Sequence, residues 1–407
     1  MTFKVKTKGQ NEGEKLLVPK LRFKEFKNEW NEITLKKLLS FKNGINGDKD
    51  SYGYGIKYIS VGDILNNTYI TYDKIKGLID INDKTLKENS VEYGDMVFQR
   101  SSETFNDIGQ ANVYLDKKQI ATFGGFVIRG KKIGNYNPLF FNYLLKSPFN
   151  RKKVIVKGAG AQHYNISQEE LEKIKVNFTV EKEQVKIANL FYSLDKKIEL
   201  QQRKIEALKI YKKGLIQKMY QKNYNNKIKM EKILIQKSIR NTNDENYNVY
   251  SVSNKDGFIL QTEQFKDRIV ASEDTKNYKV VEKDDFAYNP ARINVGSIAR
   301  MKKDTKGIIS PMYICFKCNE KILPEYLEYF FESSKFTYEM NKRLEGSVRM
   351  CLSYESMLNI PIELPNKNEQ EEISKMLNNL SDKIKLEEEK WIKLKKLKKG
   401  LLQKMFI

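Results

Sequence analysis

Residues 183–219 recur at 369–405. The offset is 186 residues throughout, without a gap, and 17 of the 37 aligned positions are identical. The strongest stretch, Lys212-Lys213-Gly214-Leu215-Ile216-Gln217-Lys218-Met219, returns as Lys398-Lys399-Gly400-Leu401-Leu402-Gln403-Lys404-Met405. A repeat of this length constrains the fold more than any local motif, because each copy must find an equivalent packing environment. Weaker matches extend upstream at the same offset: Pro138 with Pro324, Gly160 with Gly346, Ile174 and Val176 with Ile360 and Ile362. Further back, Gly94-Asp95-Met96-Val97-Phe98 resembles Asp284-Asp285-Phe286-Ala287-Tyr288 with the offset at 190, and Leu35-Lys36-Lys37-Leu38-Leu39 resembles Met230-Glu231-Lys232-Ile233-Leu234. The chain therefore reads as two halves, each a diverged globular part followed by a similar helix. Such a duplication suits one task performed twice on different targets.

The repeated segments carry a heptad seam. In the first copy it runs Ile187, Phe191, Leu194, Ile198, Gln201, Ile205, Leu208, Lys212, Leu215, Met219. In the second it runs Ile373, Leu377, Leu380, Ile384, Glu387, Trp391, Leu394, Lys398, Leu401, Met405. The polar interruptions fall at the same two places in both. An apolar stripe stepping by four and three over five heptads, unbroken by proline, predicts a coiled coil. Paired antiparallel, the copies meet at their midpoints, with Gln201 near Glu387. A helix of this length spans roughly 55 Å and can act as a spacer. The competing expectation is that each helix packs on its own globular part as ordinary core.

The intervening parts, 30–180 and 228–367, predict mixed α/β structure, giving an α+β chain with a pseudo-two-fold internal repeat. Strands are expected at Lys57–Val61, Met96–Phe98, Phe126–Ile128, Val249–Val252, Phe286–Tyr288 and Met312–Phe316. Pro138 and Pro324 each sit where a helix would begin. Ser167 and Ser353 are positioned as N-caps. Between these recurring elements lie loops rich in basic, amide and aromatic side chains. The first half contributes Gln99, Arg100, Ser101, Ser102, Thr104, Lys157, Gln162, His163, Tyr164 and Asn165. The second contributes Tyr288, Asn289, Arg292, Asn294, Ser347 and Arg349, and Ser60, Ser251 and Arg300 complete the candidate set. Arginine can read a guanine edge bidentately and asparagine or glutamine an adenine edge, so these groups are candidates for contact with duplex DNA.

Charge supports that assignment. Lys and Arg number 74 against 52 Asp and Glu, a formal net charge of +22. A polyanionic partner follows, with nucleic acid first and an anionic membrane surface second. No segment approaches the ~20 apolar residues that span a bilayer, and the first twenty residues lack the core of a signal peptide. A cytoplasmic protein without a membrane partner is expected. Three cysteines do not suggest a disulfide framework.

Catalytic signatures are weak. Asn289-Pro290-Ala291-Arg292 lacks the second proline and the aromatic of an amino-methyltransferase motif. The segment Gly125 to Lys132 resembles a phosphate-binding loop but ends in Lys132, where a hydroxyl would hold magnesium. Cys315 and Cys318 have the spacing of half a zinc site, but only Cys351 and His163 remain as companions, and residues three apart on a strand face opposite sides. No catalytic residue and no metal ligand is therefore assigned.

Several segments together resemble the specificity subunit of type I restriction-modification systems. They are Val18-Pro19-Lys20-Leu21-Arg22-Phe23, Ser101-Ser102-Glu103-Thr104, Ala287 to Ile298, and the two helices that open with Glu-Gln and close with Lys-Lys-Gly-Leu-x-Gln-Lys-Met. The resemblance covers nearly the whole chain. It implies an N-terminal segment at 1–29, target-recognition domains at 30–180 and 223–367, and conserved helical spacers at 181–222 and 368–407. It also implies a split, asymmetric DNA target and no catalysis by this chain. Two modification subunits would methylate adenine with S-adenosylmethionine, and restriction subunits would supply ATP- and Mg²⁺-dependent translocation and cleavage. The alternative is a freestanding methyltransferase or nuclease with duplicated DNA-binding halves.

Overall fold

The computed structural model describes residues 3–5, 17–160, 163–264, 275–347 and 349–407. It divides into two compact units, Met1–Gln202 with Glu389–Ile407, and Arg203–Glu388.

The first unit is built on a four-stranded antiparallel sheet in the order Leu39–Asn43, Val127–Lys132, Met96–Gln99, Ala111–Val113. The second has its own sheet in the same order, Leu234–Lys237, Ile314–Cys318, Phe286–Tyr288, Ile298–Arg300. The third strand in each order is buried on both faces. Met96 and Phe98 enter one apolar cluster while Val97 enters another. Phe286 and Tyr288 likewise separate from Ala287. This is the two-residue alternation of a strand covered on both sides. A second, mixed sheet follows in each unit. Tyr52–Ile59 runs parallel to Thr122–Phe123, and Asn248–Ser253 runs parallel to Gly307–Ile309. A further antiparallel pair joins Asn31–Thr34 to Lys175–Phe178 and, in the second unit, Lys227–Lys229 to Pro361–Glu363.

Three predicted strands are shifted. Val61 opens the helix Val61–Asn66, because Ser60 caps it and ends the strand at Ile59. Phe126 and Met312 lie in turns, and their strands begin at Val127 and Ile314. Hydrophobicity alone extended all three strands too far.

The long helices are Glu181–Gln221 and Lys367–Met405. Within the first unit they lie side by side and antiparallel. Asp195 pairs with Lys398 at 2.5 Å, and the rings of Phe191 and Phe406 stack with centroids 5.7 Å apart. Within the second unit Lys204 pairs with Glu387 at 3.0 Å, Lys209 with Glu388 at 2.6 Å and Lys222 with Glu369 at 3.2 Å, again antiparallel. Every seam residue from Ile187 to Met219 and from Ile373 to Met405 is buried or half-buried. The polar interruptions are accommodated individually. The buried Glu387 carboxylate receives Lys204, and Lys212 meets Glu332 at 3.1 Å. The long helices and the residue that follows the second also serve the cores. Ile187 and Phe191 belong to the first unit's core with Met405 and Phe406, and Ile216, Tyr220, Ile373 and Leu377 belong to the second's. Mutual pairing and packing on the globular parts both occur.

The paired Glu-Gln openings have a structural reason. The Gln184 side chain accepts from Asn137 N at 2.9 Å and donates to Thr179 O at 2.7 Å. Gln370 accepts from Leu323 N at 2.8 Å and donates to Pro365 O at 2.9 Å. Each amide thus ties the long helix to the start of the proline-initiated helix, Pro138–Lys146 or Pro324–Phe331. Beside Gln184, the Glu183 carboxylate is fully buried and binds Arg22 through two 2.7 Å hydrogen bonds. Removing one partner of such a pair leaves an uncompensated buried charge. Arg22→Ala should destabilise the chain by about 3–5 kcal/mol, read as a lowered denaturant midpoint. Lys36→Ala, which breaks an exposed pair with Glu172, should change stability by less than about 1 kcal/mol.

Candidate nucleic-acid interface

In the second unit a cleft of about 670 Å³ brings together four predicted residues, Ser251, Asn289, Arg292 and Arg349. They arrive from separate elements. Ser251 lies on the strand Asn248–Ser253, Asn289 follows the strand Phe286–Tyr288, Arg292 precedes the turn Ile293–Val295, and Arg349 comes from a loop beyond Asn341. Asn254, Gln261 and Gln264 add further amides to the walls. The guanidinium-bearing residues Arg292 and Arg349 are exposed. A wall of guanidinium, amide and hydroxyl groups offers donors and acceptors suited to base edges and phosphates.

The first unit has a smaller groove, about 330 Å³, lined by Arg100, Lys157 and Asn165, with Asn43 and Gln168 opposite. Lys157 is paired with Glu170 at 3.0 Å. Ser101 donates to the Asn165 side chain at 2.5 Å, and Phe105 meets Tyr164 edge to face at 5.3 Å. Ser101, Asn165 and Tyr164 thus form one surface with Arg100, while Thr104 is exposed and bonded to Asp107 at 2.6 Å.

Both sites include the same small hairpin. Ala159 and Asn165 exchange two backbone hydrogen bonds, and so do Glu345 and Cys351, at the 186-residue offset. Gly160 and Gly346 turn these hairpins with φ of +139° and +118°. A Cβ at either would collide with the carbonyl oxygen of His163 or Arg349, so glycine is required. His163 and Arg349 consequently occupy equivalent, exposed tips. Ser347 is exposed in the same hairpin, and Gln162 lies outside the described residues.

Other predicted residues are turned inward. Gln99 donates to Ser101 O at 2.8 Å, and Asn289 accepts from Ala291 N at 3.0 Å. These amides stand at equivalent strand ends and brace the loop that follows. Ser102 is buried and accepts from Thr104 N at 3.1 Å. Tyr288 is fully buried and donates to Leu352 O at 3.1 Å, and burial pushes its phenol pKa well above the usual value. Ser60 is the N-cap of its helix, and its backbone N–H and hydroxyl donate to the Asp63 side chain at 2.9 and 2.7 Å. Asn294 is exposed but does not line the cleft. Arg300 is 8% exposed and bound by Asp284, Glu325 and Glu328 at 2.5–3.0 Å; burial works to lower its pKa, but the charges of Glu328 and Glu325 and the hydrogen bonds to Glu328 and Asp284 together raise it.

Reading the sequence missed Asn43, Gln168, Asn254, Gln261 and Gln264, because single amides between elements carry no periodic signal. Cys315 and Cys318 enter different apolar clusters, and burial pushes both thiols up to about 12. No group of three or more candidate ligands for a metal ion occurs among the described residues, nor does any helix there have the length and apolarity to cross a membrane.

Comparison with known proteins gives a consistent result. The family model for the type I restriction modification DNA specificity domain matches twice, over residues 27–209 and 226–396. The proposed specificity subunit of type I restriction enzyme MjaX from Methanocaldococcus jannaschii is 23% identical over 417 residues, covering 93% of each chain. The crystal structure of the S subunit of a type I restriction-modification system from M. genitalium superposes with a TM-score of 0.56 at 16% identity, over 96% of this chain and 99% of that one. A chain from a structural study of type I complex assembly and conformational transition gives 0.57 at 12% identity, over 93% and 97%.

The inward and outward arginines should respond differently to substitution. Arg300→Ala strands three carboxylates and should cost about 3 kcal/mol, whereas Arg292→Ala should leave stability within about 0.5 kcal/mol. Thermal unfolding of the two variants measures the difference.

Proposed function

The chain belongs to the family of type I restriction-modification DNA specificity proteins, and from that premise we propose that it reads a split, asymmetric duplex target, one half with each unit. As a specificity subunit it recognises DNA sequence and has no catalytic activity of its own. The observation that carries the reading is the repeated frame with unlike rims. The same sheet, strand-end amide and hairpin occur twice, yet one rim offers Arg100, Lys157 and Asn165 and the other Arg292 and Arg349. Identical frames with different side chains would read different half-sites.

On this reading residues 30–180 and 223–367 are the target-recognition domains, and segments 181–222 and 368–407 set the unread gap. Two modification subunits place methyl groups on adenines of the target using S-adenosylmethionine. Restriction subunits use ATP and Mg²⁺ to translocate and cut. The surplus of 22 positive charges supports phosphate contacts that position the complex without choosing sequence.

Co-expression with the modification subunit of its system, followed by mapping of N6-methyladenine across the host genome, tests the proposal. A single split motif that disappears when this chain is deleted is expected. Methylation independent of this chain would overturn the assignment. In the same assay, Arg292→Ala with Arg349→Ala should relax the motif in one half only, by about 1–3 kcal/mol of discrimination per lost bidentate contact; relaxation of both halves would refute the one-unit, one-half correspondence.

A further inference from the structure

Phe126 is 68% exposed and Met312 is 60% exposed. Exposed apolar side chains are common on protein surfaces and one alone requires no explanation. These two, however, are the same position in the repeat, 186 residues apart. Each lies in a turn closed by one backbone hydrogen bond, Val127 N to Gly124 O at 2.8 Å and Tyr313 N to Ser310 O at 3.1 Å. Each directly precedes a buried anchor, Val127 or Tyr313. The loops around them differ, but both units place a large apolar side chain, exposed, at this position.

The mounts are firm. In the first turn, a Cβ on Gly124 would meet the Tyr58 ring, and one on Gly125 would meet the Asn46 amide. Arg100 N donates to Phe126 O at 2.8 Å, and the Arg100 guanidinium approaches Gly125 O at 3.4 Å. In the second turn Pro311 occupies a position where its ring presets the backbone. Tyr313 fixes the turn by accepting from Val252 N at 3.4 Å and, through its carbonyl, from Lys279 at 2.6 Å. The surroundings are polar and cationic. Phe126 adjoins Arg100, and Met312 lines the cleft that contains Asn289, Arg292 and Arg349. A rigidly mounted apolar side chain bordered by arginines fits a stacked, polyanionic ligand better than an apolar protein surface. Phenylalanine and methionine are also among the residues that wedge between base steps in bent duplexes.

We propose that Phe126 and Met312 are paired wedges, each inserting at one base step of the half-site read by its own unit. The proposal rests on the specificity reading above. Insertion unstacks the step, so recognition would depend on how readily the DNA deforms there as well as on base edges.

The test uses the complete chain in complex with its modification subunit and duplexes of the mapped motif carrying 2-aminopurine at successive positions. Wild type should brighten one step in each half. Phe126→Ala should abolish the signal in one half and Met312→Ala in the other, each with about tenfold weaker binding, the scale of one lost stacking contact. Phe126→Leu, which keeps an apolar wedge, should retain most of the signal. The adenine extruded for methylation should brighten in every variant and reports an intact complex. Unchanged step signals and affinity in both alanine variants would overturn the wedges while leaving the specificity reading intact. Loss of the modification subunit from the purified complex would reassign the two side chains to a protein interface and overturn the proposal. Failure of the wild-type complex to bind any split duplex would remove the specificity reading itself, and the wedges with it.

Discussion

Phe406, one residue from the end of the chain, closes the core of the first unit. Its ring lies 6.2 Å from Trp30, 5.7 Å from Phe140 and 5.7 Å from Phe191. The first unit is therefore incomplete until the chain's last helix returns to it. The second unit has the reciprocal requirement. Tyr220, at the far end of the first long helix, packs 4.8 Å from Tyr326 and 5.7 Å from Phe330. Each core thus combines one helix by its beginning and the other by its end. Two helices with the same sequence pattern can satisfy this only by running antiparallel, which is the direction that the ion pairs within each unit record. The near-identity of the two Lys-Lys-Gly-Leu-x-Gln-Lys-Met segments then has a physical cause, because both ends dock into related cores.

The same dependence explains the polar residues in the seam. A buried carboxylate is costly unless it is paired. Glu387 meets Lys204 within its own unit, and Lys398 meets Asp195 within its own. Such contacts fix the register more sharply than apolar contacts, which tolerate sliding. The glutamines at 184 and 370 act at the other end of the same problem. Each satisfies backbone groups of two elements at once, so the angle between the long helix and its globular part is held by hydrogen bonds as well as packing.

Much of this was legible in the sequence because it repeats. The helices, their seam, the proline-initiated helices and the Ser167 and Ser353 caps all followed from periodicity or offset. Strand limits did not, since Val61, Phe126 and Met312 are apolar for reasons other than strand membership. The sites were legible only as groups. Arg292, Arg349, Asn289 and Ser251 meet in one cleft, but no sequence feature distinguishes Arg292 from Arg300. The difference arises in three dimensions, where Asp284, Glu325 and Glu328 converge on the buried Arg300 while Arg292 is exposed and lines the cleft. Gln99 and Tyr288 were drawn into the candidate set by chemistry that the fold spends on its own backbone.

That inward use of polar groups bears on how one frame could serve many targets. The strand-end amides Gln99 and Asn289, the glycines of the two hairpins and the buried ion pairs hold the loop bases through contacts within the protein. Side chains at the tips, His163 and Arg349 for example, project from equivalent backbone positions yet differ in charge and donor geometry. A change at a tip leaves the supporting hydrogen bonds unaltered, so its stability cost stays small. Gln99, by contrast, acts within the support, holding the Ser101 carbonyl at 2.8 Å. A binding constellation must be held within about 0.5 Å of its productive geometry, a task suited to a buried support. On the proposed reading, a rim can therefore change its side chains while the hydrogen bonds that position it stay the same.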